Sequence, residues 1–266
     1  MHQYLSRKLW MVLCWSLLIT PLVSADTLET PHFFIVYPPD DASFVQTLAD
    51  SMEKARETLT EELGVNHEDP LKIKFVSKVA GTGKAGYLPD RRTIEVLTTE
   101  AMTRSFDGRR PPLRFIEGVL WHEYIHFLQH RAMKRFIKDR NALWFIEGTA
   151  EHLGTLRFIR PHSPEAVWRE GKTILSGGRL PTLEDLNCFH RTNQCPLTTY
   201  FFSADAVAFL VREWGMESLR QMNRGLGEGK GFSQCLSESL GVDLKTFEEQ
   251  WHQRLENEYK PYIRNS

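Results

Sequence analysis

The sequence predicts an α+β protein, with a sheet-rich part over residues 26–112 followed by a mostly helical part over 113–266. Two observations carry this. Short β-prone runs bounded by Pro, Gly and Asp fill the first part, and apolar residues at three- and four-residue spacing dominate the second. The composition, 41% hydrophobic and 25% charged over 266 residues, is that of a globular chain rather than a disordered or membrane-spanning one.

Residues 1–25 stand apart from the fold. Arg7 and Lys8 precede an apolar run from Leu9 to Ile19, and Pro21 and the small-residue ending Val23-Ser24-Ala25 follow. This is the three-part pattern of a secretory signal peptide, with cleavage expected after Ala25. The alternative is an uncleaved signal anchor, against which the apolar run is shorter than the ~20 residues that span a bilayer. Either way residues 26–266 are expected outside the cytoplasm, periplasmic or secreted.

His32-Phe33-Phe34-Ile35-Val36-Tyr37 is apolar and stops at Pro38-Pro39, which predicts a strand. A helix is predicted over 42–63, because Phe44, Val45, Leu48, Met52, Ala55, Leu59 and Leu63 recur on one helical face and Gly64 follows as a C-cap. Leu71-Lys72-Ile73-Lys74-Phe75-Val76 alternates apolar with basic residues, as a strand with one buried face does. Gly81-Thr82-Gly83-Lys84-Ala85-Gly86 matches GxGxxG, but Tyr87-Leu88-Pro89-Asp90 leads into a turn where a phosphate loop needs a helix N-terminus. The segment therefore predicts a loop before a hairpin, with Pro89-Asp90-Arg91-Arg92 as its turn and 93–98 as the returning strand. After a basic, Pro-containing linker over 104–112, helices are predicted at 113–131, 143–158, 164–175, 203–213, 216–224, 231–240 and 243–258.

The formal net charge of -1 gives no global electrostatic case for nucleic acid or an anionic membrane surface as a partner. Past the signal segment three cysteines remain, and in an oxidising compartment the near neighbours Cys188 and Cys195 are the expected pair, with Cys235 a buried free thiol.

The chemistry concentrates in His122-Glu123-Tyr124-Ile125-His126, an HExxH pattern in a helical, apolar context. At 3.6 residues per turn His122 and His126 stack on one face and reach a single ion, while Glu123 is displaced enough to serve that ion's water without being a ligand. Downstream, Leu143-Trp144-Phe145-Ile146-Glu147-Gly148-Thr149-Ala150-Glu151 begins a second helix with two carboxylates four apart, hence also on one face. His130 continues the first series one turn further and reads as a surface residue. His152 competes as a ligand but points about 140 degrees away from Glu147, at roughly 100 degrees per residue. Taken singly, each of these residues is more often a core histidine or a solvated carboxylate than a ligand.

With HExxH followed by Trp144, Glu147, Gly148, Ala150 and Glu151 in a W-x-x-E-G-x-A-E arrangement, the sequence resembles the gluzincin metallopeptidases, and in particular the peptidase MA-like domain family. The resemblance is specific over 113–160 and looser elsewhere. It implies a zinc ion held by His122, His126 and Glu147, Glu123 as general base, and Glu151 as a carboxylate that orients a zinc histidine. It also implies a tyrosine at the start of a later helix as donor to the developing oxyanion, which points to Tyr200. Tyr200 as a packing residue beside Phe201 and Phe202 remains open, and Tyr87, His162 and His190 are further candidates. The expected activity is zinc-dependent hydrolysis of a peptide or protein substrate. The alternative from another class is a non-catalytic, zinc-stabilised binding domain, which needs four protein ligands and no Glu123.

Overall fold

The computed structural model describes residues 25–80, 83–133, 140–159, 180–190, 195 and 197–263. A five-stranded sheet forms first: β1 (Asp26–Glu29), β2 (Phe33–Tyr37), β3 (Leu71–Val76), β4 (Ala85–Leu88) and β5 (Thr93–Leu97), in the order β1-β2-β3-β5-β4. The inner three strands are parallel and the two outer ones pair antiparallel. Helix α1 (Ala42–Leu63) makes the crossover from β2 to β3. Its apolar face is buried as the spacing requires, and Gly64 ends it in the left-handed conformation at φ 66°, its N–H donating to the Thr60 carbonyl. On β3, Leu71, Ile73 and Phe75 face the helices, while Lys72 and Lys74 face solvent.

The short β1 and a helix α2 (Thr99–Ser105), capped by the Thr98 side chain on the Ala101 N–H, were not anticipated by the residue pattern. Both are too short to carry a periodic signal. Ala85–Leu88 is a strand, so no helix opens after the GxGxxG pattern.

The helical part begins with α3 (Leu113–Met133), buried on most of its circumference by Ile116, Leu120, Trp121, Tyr124, Ile125, Phe127 and Leu128. It lies between the sheet with α1 on one side and the later helices on the other. Two long-range bonds fix it there: Trp121 Nε1–H to Ser51 Oγ at 3.1 Å, and the Tyr124 hydroxyl paired with His67 Nε2 at 2.8 Å. The helix expected over 143–158 is broken into α4 (Leu143–Ala150), a π turn over Glu151–Thr155, and a last turn α5 (Leu156–Phe158). Helix α6 (Leu197–Gly227) kinks at Gly215, whose φ of 81° is open to glycine, and so contains both helices expected over 203–213 and 216–224. Helices α7 (Phe232–Leu240) and α8 (Leu244–Ile263) complete the order.

Cys188 and Cys195 are joined as expected, and Cys235 is a buried free thiol. Among the described residues no helix is long and apolar enough to cross a membrane. The expected signal peptide and the helix expected over 164–175 lie outside the described residues.

Candidate metal centre

Because α3 is regular through its middle, His122 and His126 present their rings on one face, with centroids 4.7 Å apart. Their Nε2 atoms converge to 3.1 Å. Glu147 comes from α4, and its Oε2 lies 3.6 Å from His122 Nε2 and 3.4 Å from His126 Nε2. These three residues form a group that could hold one metal ion.

Two glycines let the helices come this close. A Cβ on Gly154 would stand 2.7 Å from the His122 backbone nitrogen, and one on Gly148 would stand 2.3 Å from the Ser203 carbonyl oxygen of α6. The first contact presses the π turn against α3 and the second brings α6 against α4. A side chain at 154 would push the π turn, and with it Glu151 and Thr155, away from His122.

Each imidazole is oriented from behind. His122 Nδ1 faces Glu151 Oε2 at 3.3 Å and Thr155 Oγ1 at 3.3 Å, both supplied by the π turn. His126 Nδ1 faces Gln129 Oε1 at 3.0 Å. A histidine whose Nδ1–H donates to such a partner keeps Nε2 as a lone-pair donor, which is the form a metal requires. Thr155 reaches His122 only through the π turn, which no residue pattern announces, whereas Gln129 meets His126 by i,i+3 spacing within α3.

The electrostatics favour positive charge at this spot. Burial acts to lower the His122 pKa, but its hydrogen bonds to Glu147 and Glu151 outweigh that and hold it well above the usual imidazole value. His126 is raised in the same way against its burial, chiefly by Glu147. Glu147, although buried, is held well below the usual carboxylate range by His126 and His122. Carboxylates thus surround the point where the two imidazoles meet, and protons on the imidazoles or a cation between them would balance their charge.

Glu123 stands outside this group and turns toward the sheet, where its Oε2 accepts the Tyr87 backbone N–H at 2.8 Å. The Tyr87 N–H is available because Leu97 N–H donates to the Lys84 carbonyl, so in the antiparallel ladder Gly86 and Leu88 pair inward and Ala85 and Tyr87 point their backbone groups outward. The Tyr87 phenol is elsewhere, 3.3 Å from His130 Nδ1. That places His130 against a tyrosine rather than bare on the surface.

Tyr200 lies inside the first turn of α6 rather than before its helix, with its ring 6.5 Å from that of His122. Burial first, and then the carboxylates of Glu147, Glu151 and Glu123, push its phenol up to about 12, so at neutral pH it is a protonated donor. His152 is not part of the metal group, and burial lowers its pKa. His162 and the His190 side chain lie outside the described residues.

No family model matches the sequence, and no curated protein does. Among solved structures, the chain is similar to the crystal structure of Legionella pneumophila aminopeptidase A in complex with aspartic acid, with a TM-score of 0.51 at 15% identity. The likeness covers 86% of this chain and 28% of that one, so the chain spans little more than a quarter of that peptidase. At this identity the likeness shows the fold alone.

Proposed function

We propose that this protein is an exported, zinc-dependent peptidase of the gluzincin type, acting on a peptide or protein substrate. The single observation that carries the reading is the convergence of two His Nε2 atoms and one Glu147 oxygen at mutual distances of 3.1, 3.4 and 3.6 Å, with Glu123 beside them and outside the group. Ligands at ~2.0–2.1 Å from a tetrahedral zinc stand roughly 3.3 Å apart, so the donor set fits that ion. Three protein ligands leave a fourth position, as catalytic sites do and closed structural sites do not. The fold likeness to an aminopeptidase agrees with hydrolysis of a peptide bond.

When bound, zinc supplies a water of near-neutral pKa and polarises the scissile carbonyl. Glu123 takes the proton of the attacking water and returns it to the leaving nitrogen. Its bond to the Tyr87 N–H aims one carboxylate oxygen at the sheet and leaves the other for this exchange. Tyr200 donates to the carbonyl oxygen as charge gathers there. The outward-facing groups of Ala85 and the Tyr87 carbonyl give an extended peptide a strand to pair with next to Glu123. Export is supported by the Cys188–Cys195 disulfide and the N-terminal sequence pattern.

The test is metal analysis of the purified mature protein together with cleavage of a peptide library before and after chelation. One zinc per chain is expected, with hydrolysis lost on chelation and restored by zinc. A protein that binds zinc but cleaves no peptide favours the non-catalytic binding domain.

A further inference from the structure

We propose that Gln129 is a positioning residue of the metal centre, which sets the tautomer of His126 and ties it to the helix that carries Glu147. The inference rests on the zinc reading above and adds a residue to it. Gln129 is 3% exposed, and both ends of its amide are engaged. Its Nε2 donates to the Ile146 carbonyl at 3.1 Å, and its Oε1 lies 3.0 Å from His126 Nδ1.

The orientation of this amide is forced. A backbone carbonyl only accepts, so the NH₂ end must face Ile146 and the oxygen must face His126. An amide oxygen also only accepts, so His126 Nδ1 must carry the proton. Nε2 is then the nitrogen left to offer a lone pair to a metal, at the point it shares with Glu147 Oε2 and His122 Nε2. One acceptor at Ile146 thereby decides, through two hydrogen bonds, which nitrogen of His126 faces the metal. Ile146 directly precedes Glu147, so the same link holds the spacing between the ligands contributed by α3 and α4.

The two histidines are thus oriented by different chemistry. His122 has a carboxylate behind it, Glu151, and His126 has a neutral amide. A carboxylate at 129 would still accept the Nδ1–H but could not donate to Ile146, whereas a thioether of similar length accepts only weakly and cannot donate.

The experiment compares wild type, Gln129→Met and Gln129→Glu. Zinc affinity is read by competition with a chromophoric chelator, the ligand field by the visible spectrum of the Co²⁺-loaded protein, and folding by thermal unfolding of the metal-free protein. Gln129→Met, which preserves side-chain length, is expected to weaken zinc binding by ~10- to 100-fold and to alter the Co²⁺ spectrum. Gln129→Glu keeps an acceptor for His126 but loses the bond to Ile146, so its loss is expected to be smaller than that of Gln129→Met and within tenfold of wild type, on the order of a few-fold. A merely structural role would lower the unfolding temperature in both variants and leave the affinity of the folded protein and its Co²⁺ spectrum unmoved. Wild-type zinc affinity in Gln129→Met overturns the proposal. Should that variant not fold, a Gln129→Glu protein that folds but has lost zinc affinity tenfold or more overturns it equally. Absence of zinc binding in the wild type would instead sink the metallopeptidase reading itself.

Discussion

The two helices that bring His122, His126 and Glu147 together solve the same problem differently. Helix α3 is regular from Leu113 to Met133, and its contribution is a matter of periodicity: His122 and His126 one turn apart, Glu123 turned toward the sheet. The second helix is regular only to Ala150 and then passes into a π turn over Glu151–Thr155. Glu147, on the regular stretch, faces the ligand nitrogens, while Glu151 and Thr155, on the wide turn, both face the back of His122. Widening a helix loosens its own ladder, and such turns recur at functional sites because they re-aim side chains. Here the turn lets two consecutive helix layers address opposite sides of one imidazole.

The largest effect expected from disturbing this contrast is at the glycine beneath the π turn. Gly154→Ala gains up to about 1 kcal/mol of helix propensity. Its Cβ, however, meets the His122 backbone at 2.7–2.8 Å, where no flexible side chain can yield. We expect a net loss of ~1 to 3 kcal/mol, read as a fall of several degrees in the unfolding temperature, together with weaker zinc binding. Gly118→Ala, on the α3 side of the same interface, meets the Thr155 carbonyl at 3.2 Å and should cost less. Equal losses from the two would mean that the π turn is not the rigid partner.

Next in size is Glu151→Gln. Removing the charge behind His122 should weaken zinc binding by ~10- to 100-fold, with activity partly restored by added zinc. Thr155→Val removes a neutral group at the same distance from the same nitrogen, and a two- to tenfold loss is expected, about 0.5–1.5 kcal/mol. Chelator competition on the two variants ranks them. If Thr155→Val were the more damaging, the hydroxyl and not the carboxylate would be orienting His122.

What was legible in the sequence divides along the same line. The stacking of His122 and His126 on one face of α3, the α1 face with Gly64 as its cap, and the alternation in β3 all follow from strict periods of 3.6 or 2, and the structure has them where the pattern puts them. Glu147 and Glu151 were found through spacing and resemblance, but the π turn between Glu151 and Thr155 has no residue signature, so a continuous helix over 143–158 was expected in its place. Gln129 stands three residues after His126 on the same helix, but its second partner, the Ile146 carbonyl, is a backbone atom of another helix and leaves no mark in the sequence. The hold on Glu123 by the Tyr87 N–H escaped for the same reason: it depends on which groups of β4 face outward, and register does not show in side-chain types. The apolar spacing marks a helix only from 203, whereas α6 begins at Leu197 and takes Tyr200 into its first turn.

The proposed function requires a division of labour within α3, in which His122 and His126 would hold the metal and Glu123 would move the proton. The direct test measures zinc content and peptide hydrolysis side by side for wild type and Glu123→Gln. An amide at 123 can still meet the Tyr87 backbone but cannot take a proton from water, so zinc should remain at one per chain while the rate falls by ~100- to 10,000-fold. Wild-type turnover in Glu123→Gln, or loss of its zinc, would contradict the account.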